Sequence, residues 1–498
     1  MPLYHALNLN EIDSLLENVD PDTEEVSITI IPPDPDDLTD EEEFDENELD
    51  EIEVRNVPGE LEVNVEEDES DVDEREDTSS DEVPTRKRKT NDKSKIKNKT
   101  TKKANAANKE VPKCKWEKKM PVYTQTAADS KDNITNNPHI QRLYGKSPTE
   151  VFMELFDEDV LEMIRHESIM YARSKNNHDF RIDTEELKVF LAILMFSGYH
   201  RLPSEEMYWE TARDAGIPLV YEAMSRNRFR LIKRFLHICD NERIDRTDKF
   251  YKVRQYFDMM NDNFMKFGVF KDKLAIDEMM VRYYGKHSGK MFMKGKPIKF
   301  GYKCWCLATS DGYLLQFHPY GGKENSAEKE LEKRVIKKLA SVIPDTDIEN
   351  HELYFDNFFT SADTLAELKE MKLKATGTVR ATRINKCPIM EADKMKKTTE
   401  RVHYDYRFDT KNEILVVRWH DNKAVTIATN HSSVEPLAQA KRFSQAEKKM
   451  VNVNMPKVFD DYNSSMGGVD LVDKQVSLYR VRIRSKNGGF LYSPNLLM

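Results

Sequence analysis

The sequence predicts an α/β fold: a mixed β-sheet flanked by helices, preceded by a helical region and a polar tail. After Lys271, strand-like and helical runs follow in the order β-β-β-α-β-α-β, as expected for a sheet covered by helices. Amphipathic helical patterns fill the stretch before Lys271. The first 82 residues carry 33 Asp and Glu against two Arg, which is too polar to form a core. At 498 residues, the chain has room for two or three domains.

The tail, residues 1–135, is expected to be disordered, acidic at first and then basic. The chain has a formal net charge of −12, and the segment up to Glu82 contributes −31, so residues 83–498 carry +19. A basic body gains from releasing the counterions of a polyanion. Nucleic acid is therefore the first partner to consider.

The charge changes sign at residues 86–103, which hold ten Lys and Arg and one Asp. The cluster Arg86, Lys87, Arg88 and Lys89 is typical of a nuclear localisation signal or a nucleic-acid arm, with a solvated linker as the alternative. No signal-peptide pattern is visible, and the longest apolar run, "VFLAILMF", is too short to span a membrane. We expect a soluble, nuclear protein.

Residues 136–270 are predicted to form a helical region. Ser147, Pro148 and Glu150 have the spacing of an N-cap, a first helical position and a capping box. Asp183 and Glu186 repeat this spacing before an apolar run that is expected to stop at Gly198. Two more helices are predicted at about 219–238 and 249–267.

The sheet is predicted to begin in residues 271–382, the first part of an α/β core. The first three strands are expected to form an antiparallel meander, and strand-helix-strand units follow. Residues 383–452 alternate like a separate small β meander, which predicts a β-rich insertion. Residues 453–486 would then supply the last helix of the core.

The five cysteines lack any CxxC pair, which argues against a disulfide framework or a zinc ribbon. Cys304 and Cys306 lie two residues apart on a predicted strand and should face the same side. We favour burial in the core over a metal role, which remains the alternative.

Three aspartates, Asp277, Asp356 and Asp470, are the candidate catalytic residues, and Asp473 is a further candidate metal ligand. Asp277 interrupts the first strand, Asp356 ends the fourth, and Asp470 and Asp473 share one face of a later helix. If the fourth strand pairs with the first, these carboxylates could gather around two divalent cations, as two-metal phosphoryl transfer requires. The alternative is that Asp356 and Asp470 only cap local structure.

Five ordered motifs resemble the catalytic core of the piggyBac superfamily of DNA transposases, and in particular its transposable element-derived proteins. They are "AIDEMMVRYYGKH", "KGKPIKFGYKCWC", "YFDNFFTS", "ATGTVRATR" and "YNSSMGGVDLVDKQV". The likeness extends from about residue 110, just before the "CKW" stretch, to residue 486, and a "DEVP" stretch at 81–84 precedes it.

The resemblance implies an RNase H-like fold of the DDE superfamily, with the β-rich segment as the family's insertion domain. It implies that Asp277, Asp356 and Asp470 are catalytic and bind two Mg²⁺ ions, for which Mn²⁺ can substitute, together with Asp473. The helical region would belong to a dimerisation and DNA-binding domain. Members of the family act as homodimers on terminal inverted repeats and integrate at TTAA.

A set of basic residues near the first two aspartates could hold DNA phosphates, with a solvated face as the alternative. This set is Lys294, Lys296, Lys299, Lys303, Arg380 and Arg383.

Residues 487–498, "GGFLYSPNLLM" with the preceding Asn, depart from the family pattern. We expect the second part of the DNA-binding domain and the family's zinc module to be missing, which could inactivate the enzyme. The expected function is DNA binding with metal-dependent strand cleavage and transfer by a DDD-type transposase. The alternatives are a domesticated, non-catalytic DNA-binding or chromatin protein and an interaction protein that uses its acidic tail.

Overall fold

The structure is a computed structural model, and it divides the chain into two units, Met1–Pro112 and Lys113–Met498. It describes the backbone of residues 26–31 and 60–65, and residues 114–123, 138–268, 271–283, 287–293, 296, 298–322, 331–345, 348–444 and 448–481. The basic cluster Arg86 to Lys89, the candidate Lys294 and the divergent segment 487–498 lie outside these residues.

Two strands in the first unit, β1 (Val26–Ile31) and β2 (Glu60–Val65), pair antiparallel within the tail for which the sequence predicts disorder. The predicted tail boundary at residue 135 also needs correction. Strand β3 (Trp116–Glu117) belongs to the second unit and pairs there with a strand near Asp409. The Lys115 backbone N–H donates to the Asp409 Oδ1 at 2.8 Å. Residues 114–123 are therefore part of the folded body.

Seven helices precede the sheet in the described part of the second unit: α1 (Pro138–Gln141), α2 (Pro148–Leu155), α3 (Glu158–Ser174), α4 (Thr184–Tyr199), α5 (Pro218–Tyr221), α6 (Arg226–Phe235) and α7 (Tyr251–Phe267). The predicted capping box is present, because Ser147 and Glu150 bond reciprocally at the start of α2. Asp183 caps α4 through the Glu186 N–H at 2.8 Å. Gly198 lies inside the last turn of α4, so it is not the stop that the sequence predicted.

The predicted order β-β-β-α-β-α-β is confirmed, with one additional two-residue strand. The elements are β4 (Lys273–Arg282), β5 (Met291–Phe292), β6 (Phe300–Thr309), β7 (Leu314–Pro319), α8 (Leu331–Ala340), β8 (Glu352–Phe355), α9 (Ala362–Glu370) and β9 (Lys374–Thr378). Strands β4, β6 and β7 pair antiparallel, whereas β8 is parallel to both β4 and β9. This is the predicted mixed sheet, with the fourth main strand beside the first.

The segment predicted to be a separate β meander differs from expectation. After α10 (Ala392–Thr398), strands β10 (Tyr404–Asp409), β11 (Ile414–His420) and β12 (Ala424–Thr429) form an antiparallel meander. Its last strand pairs with β9, so the meander continues the core sheet instead of forming a sheet of its own. Strands β13 (Ala438–Ser444) and β14 (Lys449–Met455), which follow the meander, pair with each other as a two-stranded ribbon outside that sheet.

The chain then returns to the sheet with α11 (Lys457–Ser465) and α12 (Gly468–Leu478). Alternate residues of the central strands enter two different cores. Ala275 and Cys306 pack with α12 and the helical region on one face, whereas Ile276 and Leu307 pack with α8 and α9 on the other. Cys304 and Cys306 are both fully buried on the first face, as predicted for core residues.

Among the described residues, no helix combines the length and the apolar character needed to cross a bilayer.

Candidate active site

The first two aspartates are brought together by strand register. Ile276 of β4 is paired with Phe355 of the parallel strand β8, so the next residues along the two strands, Asp277 and Asp356, are neighbours. Asp277 is 9% exposed, and its Oδ1 accepts the Glu278 N–H at 2.8 Å. The Asp356 Oδ1 accepts the Phe358 N–H at 3.0 Å, so the capping role considered for Asp356 is also present. A local bond and a catalytic role are compatible because a carboxylate has several lone pairs.

The third and fourth aspartates lie on α12, which packs across β4 and β6. This close packing depends on Gly468, where a Cβ would lie 2.2 Å from the Thr309 carbonyl oxygen. Gly467 is the N-cap of α12, so the N-cap role considered for Asp470 is wrong; Asp470 is in the first turn. Asp470 is exposed, whereas Asp473 is partly buried.

Electrostatic coupling links the carboxylates of the strands. Burial, then Glu278, and also Asp356, raise the pKa of Asp277 well above its usual range, although Lys296 opposes them. The cause is a carboxylate taken out of water next to groups of the same charge. In the folded protein without metal, ionisation of the Asp277 carboxyl group is therefore unfavourable.

On α12, opposing electrostatic effects likewise act on the pKa of Asp473. Burial and the charge of Asp470 raise the pKa of Asp473, while Arg480 and Lys296 act against the shift. The Asp473 Oδ1 is buried and has no hydrogen-bond partner within the described part of the chain. A buried carboxylate oxygen without a donor costs free energy unless a cation compensates it.

Lys296 is the predicted basic residue that lies closest to this chemistry. Its ammonium group pairs with Glu278 at 2.8 Å. Burial alone would lower the pKa of Lys296, but Glu278, Asp277 and Asp470 together raise it. Lys296 therefore stays charged and connects the strand carboxylates with the helix carboxylate.

The other described residues of the predicted basic set differ in their surroundings: one is buried, one is paired and two are exposed. Lys303 is 2% exposed, with its ammonium 4.0 Å from the Trp305 ring centroid, so it is a core cation and not a surface phosphate ligand. Arg383 donates to the Phe358 carbonyl and pairs with Glu332 at 2.8 Å. Lys299 and Arg380 are exposed.

Of these two exposed residues, Arg380 is placed beside the site. Its Nε donates to the Asn357 Oδ1 at 3.0 Å, one residue beyond Asp356. Arg380 is therefore well placed to meet a phosphate that approaches the strand carboxylates.

Two residues near the site were missed in the sequence. Glu278 pairs with Lys296, and despite burial its pKa is lowered by Lys303 and Lys296. Tyr462 of α11 is partly buried, and desolvation together with Asp356, Asp277 and Asp470 raises its hydroxyl pKa, against the Thr378 hydrogen bond. The "IDE" and "DYN" motifs contain both residues, but only the tertiary packing shows which side chains face the carboxylates.

The carboxylates are gathered, yet they are not in coordination geometry. Within the described residues, no group of three or more His, Cys, Asp or Glu side chains is close enough together to hold a metal ion. The chemistry of the donor set nevertheless fits a divalent cation. Among the described residues, one buried oxygen of Asp473 has no hydrogen-bond partner, and the charge of Asp356 opposes ionisation of Asp277. Hard cations such as Mg²⁺ prefer carboxylate oxygens of this kind.

Comparisons with known proteins agree with this architecture. A family model described as Transposase IS4 matches residues 147–492. The human PiggyBac transposable element-derived protein 3 is 38% identical over 387 residues, which are 77% of this chain and 64% of that protein. The human PiggyBac transposable element-derived protein 2 is 36% identical over 354 residues, 70% of this chain and 60% of that protein. The chain thus spans less than two thirds of the length of these two relatives.

A solved structure has the same fold. It is the cryo-EM structure of a piggyBac transposase synaptic complex with hairpin DNA, and it matches 72% of this chain and 74% of its own chain with a TM-score of 0.58. Sequence identity over the match is 19%, so this likeness concerns the fold alone.

Proposed function

Because this chain belongs to the piggyBac family of transposases, we propose that it binds double-stranded DNA and cleaves and joins strands at terminal repeats with divalent metal ions. The observation that carries the proposal is the register of β4 and β8, which sets Asp277 beside Asp356 under the helix that holds Asp470 and Asp473. Carboxylates supplied by three neighbouring elements, two central strands and the helix packed across the sheet, are the kind of set that two-metal phosphoryl transfer needs.

In this proposal, Asp277, Asp356, Asp470 and Asp473 would hold two Mg²⁺ ions. Bound there, the ions would supply Lewis acidity to the attacking water or 3′-hydroxyl and to the leaving 3′-oxygen. The other residues would act on the substrate. Arg380 is exposed and offers guanidinium donors to a phosphate next to Asp356.

Lys296 would have a different task in the same site. Its charge offsets part of the carboxylate repulsion before metal binds, because it interacts with Glu278, Asp277 and Asp470. This would keep the acidic edge folded in the absence of cations. We also propose, from the family and from the cluster at Arg86 to Lys89, a nuclear homodimer.

A strand-cleavage assay tests the function. The full chain is incubated with a labelled duplex that carries the element's terminal repeats, in Mg²⁺, in Mn²⁺ or in EDTA. We expect nicking only with metal, and we expect Asp356→Asn to remove it. Asp345→Asn is the matched control, because Asp345 is exposed at the end of the segment after α8.

The outcomes separate the possible functions. Nicking that is abolished by Asp356→Asn and kept by Asp345→Asn supports the transposase. Duplex binding without any nicking would indicate a domesticated DNA-binding protein. Absence of both activities would leave an interaction protein.

A further inference from the structure

The ribbon of β13 and β14 has two faces of opposite character. Seven cross-strand pairs, from Ala438 opposite Met455 to Ser444 opposite Lys449, fix its register. Since side chains alternate between faces along each strand, every second pair points the same way. The sequence predicts this segment only as part of a β-rich insertion, and the four candidate aspartates lie outside it.

The inner face is anchored to the body of the protein. Ala440 and Met455 are 7% and 4% exposed and belong to the same hydrophobic cluster as Trp419 and Phe459. Arg442, also on this face, donates its Nε–H to Asp421 at 2.7 Å. The packing therefore fixes the orientation of the ribbon and leaves its other face outside.

The outer face consists of three pairs, all exposed: Gln439 with Asn454, Lys441 with Asn452, and Phe443 with Met450. The Gln439 Nε2 donates to the Asn454 Oδ1 at 2.6 Å, so the two amides form a cross-strand pair. Phe443 and Met450 are 55% and 59% exposed, an unusual state for two large apolar side chains that face each other.

We infer that this outer face is a groove-reading surface for double-stranded DNA. A two-stranded β-ribbon fits the major groove of B-DNA, and Asn and Gln amides can bond both to N6 and to N7 of adenine. The outer face offers three such amides in two successive pairs. The inference rests on the proposed DNA-binding function and adds to it a reading element and a base preference.

Charge also favours DNA over a protein partner. The described residues of the ribbon, 438–444 and 448–455, include no Asp or Glu, whereas Lys441, Lys448 and Lys449 are exposed. The connecting loop carries one acidic residue in the sequence, Glu447. Lysine is depleted in protein–protein interfaces, but it is a common ligand of phosphate.

The apolar pair has a place in the same interaction. Phe443 and Met450 form the last pair but one before the loop, so they project from the far end of the ribbon. Apolar side chains on an element in the major groove can contact the C5-methyl group of thymine. Phe443 and Met450 would then lie against base edges when DNA is bound.

The experiment measures binding of the full chain to 30-base-pair duplexes, one A·T-rich and one G·C-rich, at several salt concentrations without divalent metal. For the double variant with Asn452→Ala and Asn454→Ala, we expect about tenfold weaker binding to the A·T-rich duplex. Preference for that duplex should be lost. For Lys441→Gln, the slope of log affinity against log salt should fall by about 0.9.

Lys397→Gln is the matched control, an exposed lysine on α10. All substituted positions are exposed, and equal melting temperatures would verify that the variants fold. If the wild-type chain binds duplex but every ribbon variant binds within twofold of it, the ribbon inference is wrong and the proposed function stands. If the wild-type chain binds neither duplex even at low salt, the proposed function and the ribbon inference both fail.

Discussion

Replacing Asp277 by Asn is expected to abolish strand cleavage and at the same time to stabilise the metal-free protein. Asp277 is 9% exposed, and burial, Glu278 and Asp356 all disfavour its charge. Asn has nearly the same shape and removes the charge, so the like-charge repulsion at the sheet edge falls. Cleavage should drop by on the order of 10³-fold or more, as expected when several kcal/mol of metal-ion catalysis are lost.

Metal titration gives a second measurement that does not depend on cleavage. A ligand that binds only the folded state stabilises it by about 2.7 kcal/mol when its free concentration is 100-fold above the Kd. The melting temperature of the wild-type protein should rise with Mg²⁺ or Mn²⁺. The melting temperature of Asp277→Asn should start higher and respond weakly.

Asp272→Asn is the matched control. Asp272 is exposed just before β4, five residues from the site. It should melt like the wild type and respond to metal like the wild type. A metal response of Asp277→Asn equal to that of the wild type would show that Asp277 is not a ligand.

Replacing Gly468 by Ala is expected to displace α12 and thereby to damage both stability and cleavage. The added Cβ would lie 2.2 Å from the Thr309 carbonyl oxygen, and backbone atoms of β6 cannot rotate away as a long side chain can. Overpacking of this kind costs about 1–3 kcal/mol. Because Asp470 and Asp473 ride on the same helix, movement of its first turn should also reduce metal binding.

The neighbouring glycine provides the control. A Cβ at Gly467 meets nothing within 4 Å, so Gly467→Ala should stay within about 0.5 kcal/mol of the wild type. Chemical denaturation of the two variants side by side measures the difference. Equal stability would contradict the view that the close approach at Gly468 holds α12 on the sheet.

Much of the fold could be predicted because it depends on local patterns. The order of strands and helices after Lys271 follows from runs of apolar residues, and the cap at Ser147 follows from a four-residue motif. The sequence also predicts the meander at 404–429, but as a separate sheet. Its hydrogen bonds to β9 are long-range, and a single sequence has no pattern that reveals which edge a strand will choose.

The candidate site shows the same division. Asp277, Asp356, Asp470 and Asp473 stand out in the sequence as carboxylates in apolar or helical surroundings. Their proximity depends on the parallel pairing of β4 with β8 and on the packing of α12.

The surroundings of the predicted basic residues could not be predicted from residue type and spacing. Lys303 and Lys296 both precede or lie on β6, yet one is buried against Trp305 and the other pairs with Glu278. A charged side chain responds to whatever lies across from it, which only the folded chain defines.

The sequence by itself determined most of the helices and strands after Lys271, the membership of the family and the choice of the four candidate aspartates, because residue type and spacing encode them directly. The tertiary structure decided which carboxylates oppose each other, which lysine balances them and which face of the β13–β14 ribbon stays outside. The physical reason is that burial and electrostatic coupling depend on distances between residues that are far apart in the chain, and these distances exist only after the sheet and helices have packed.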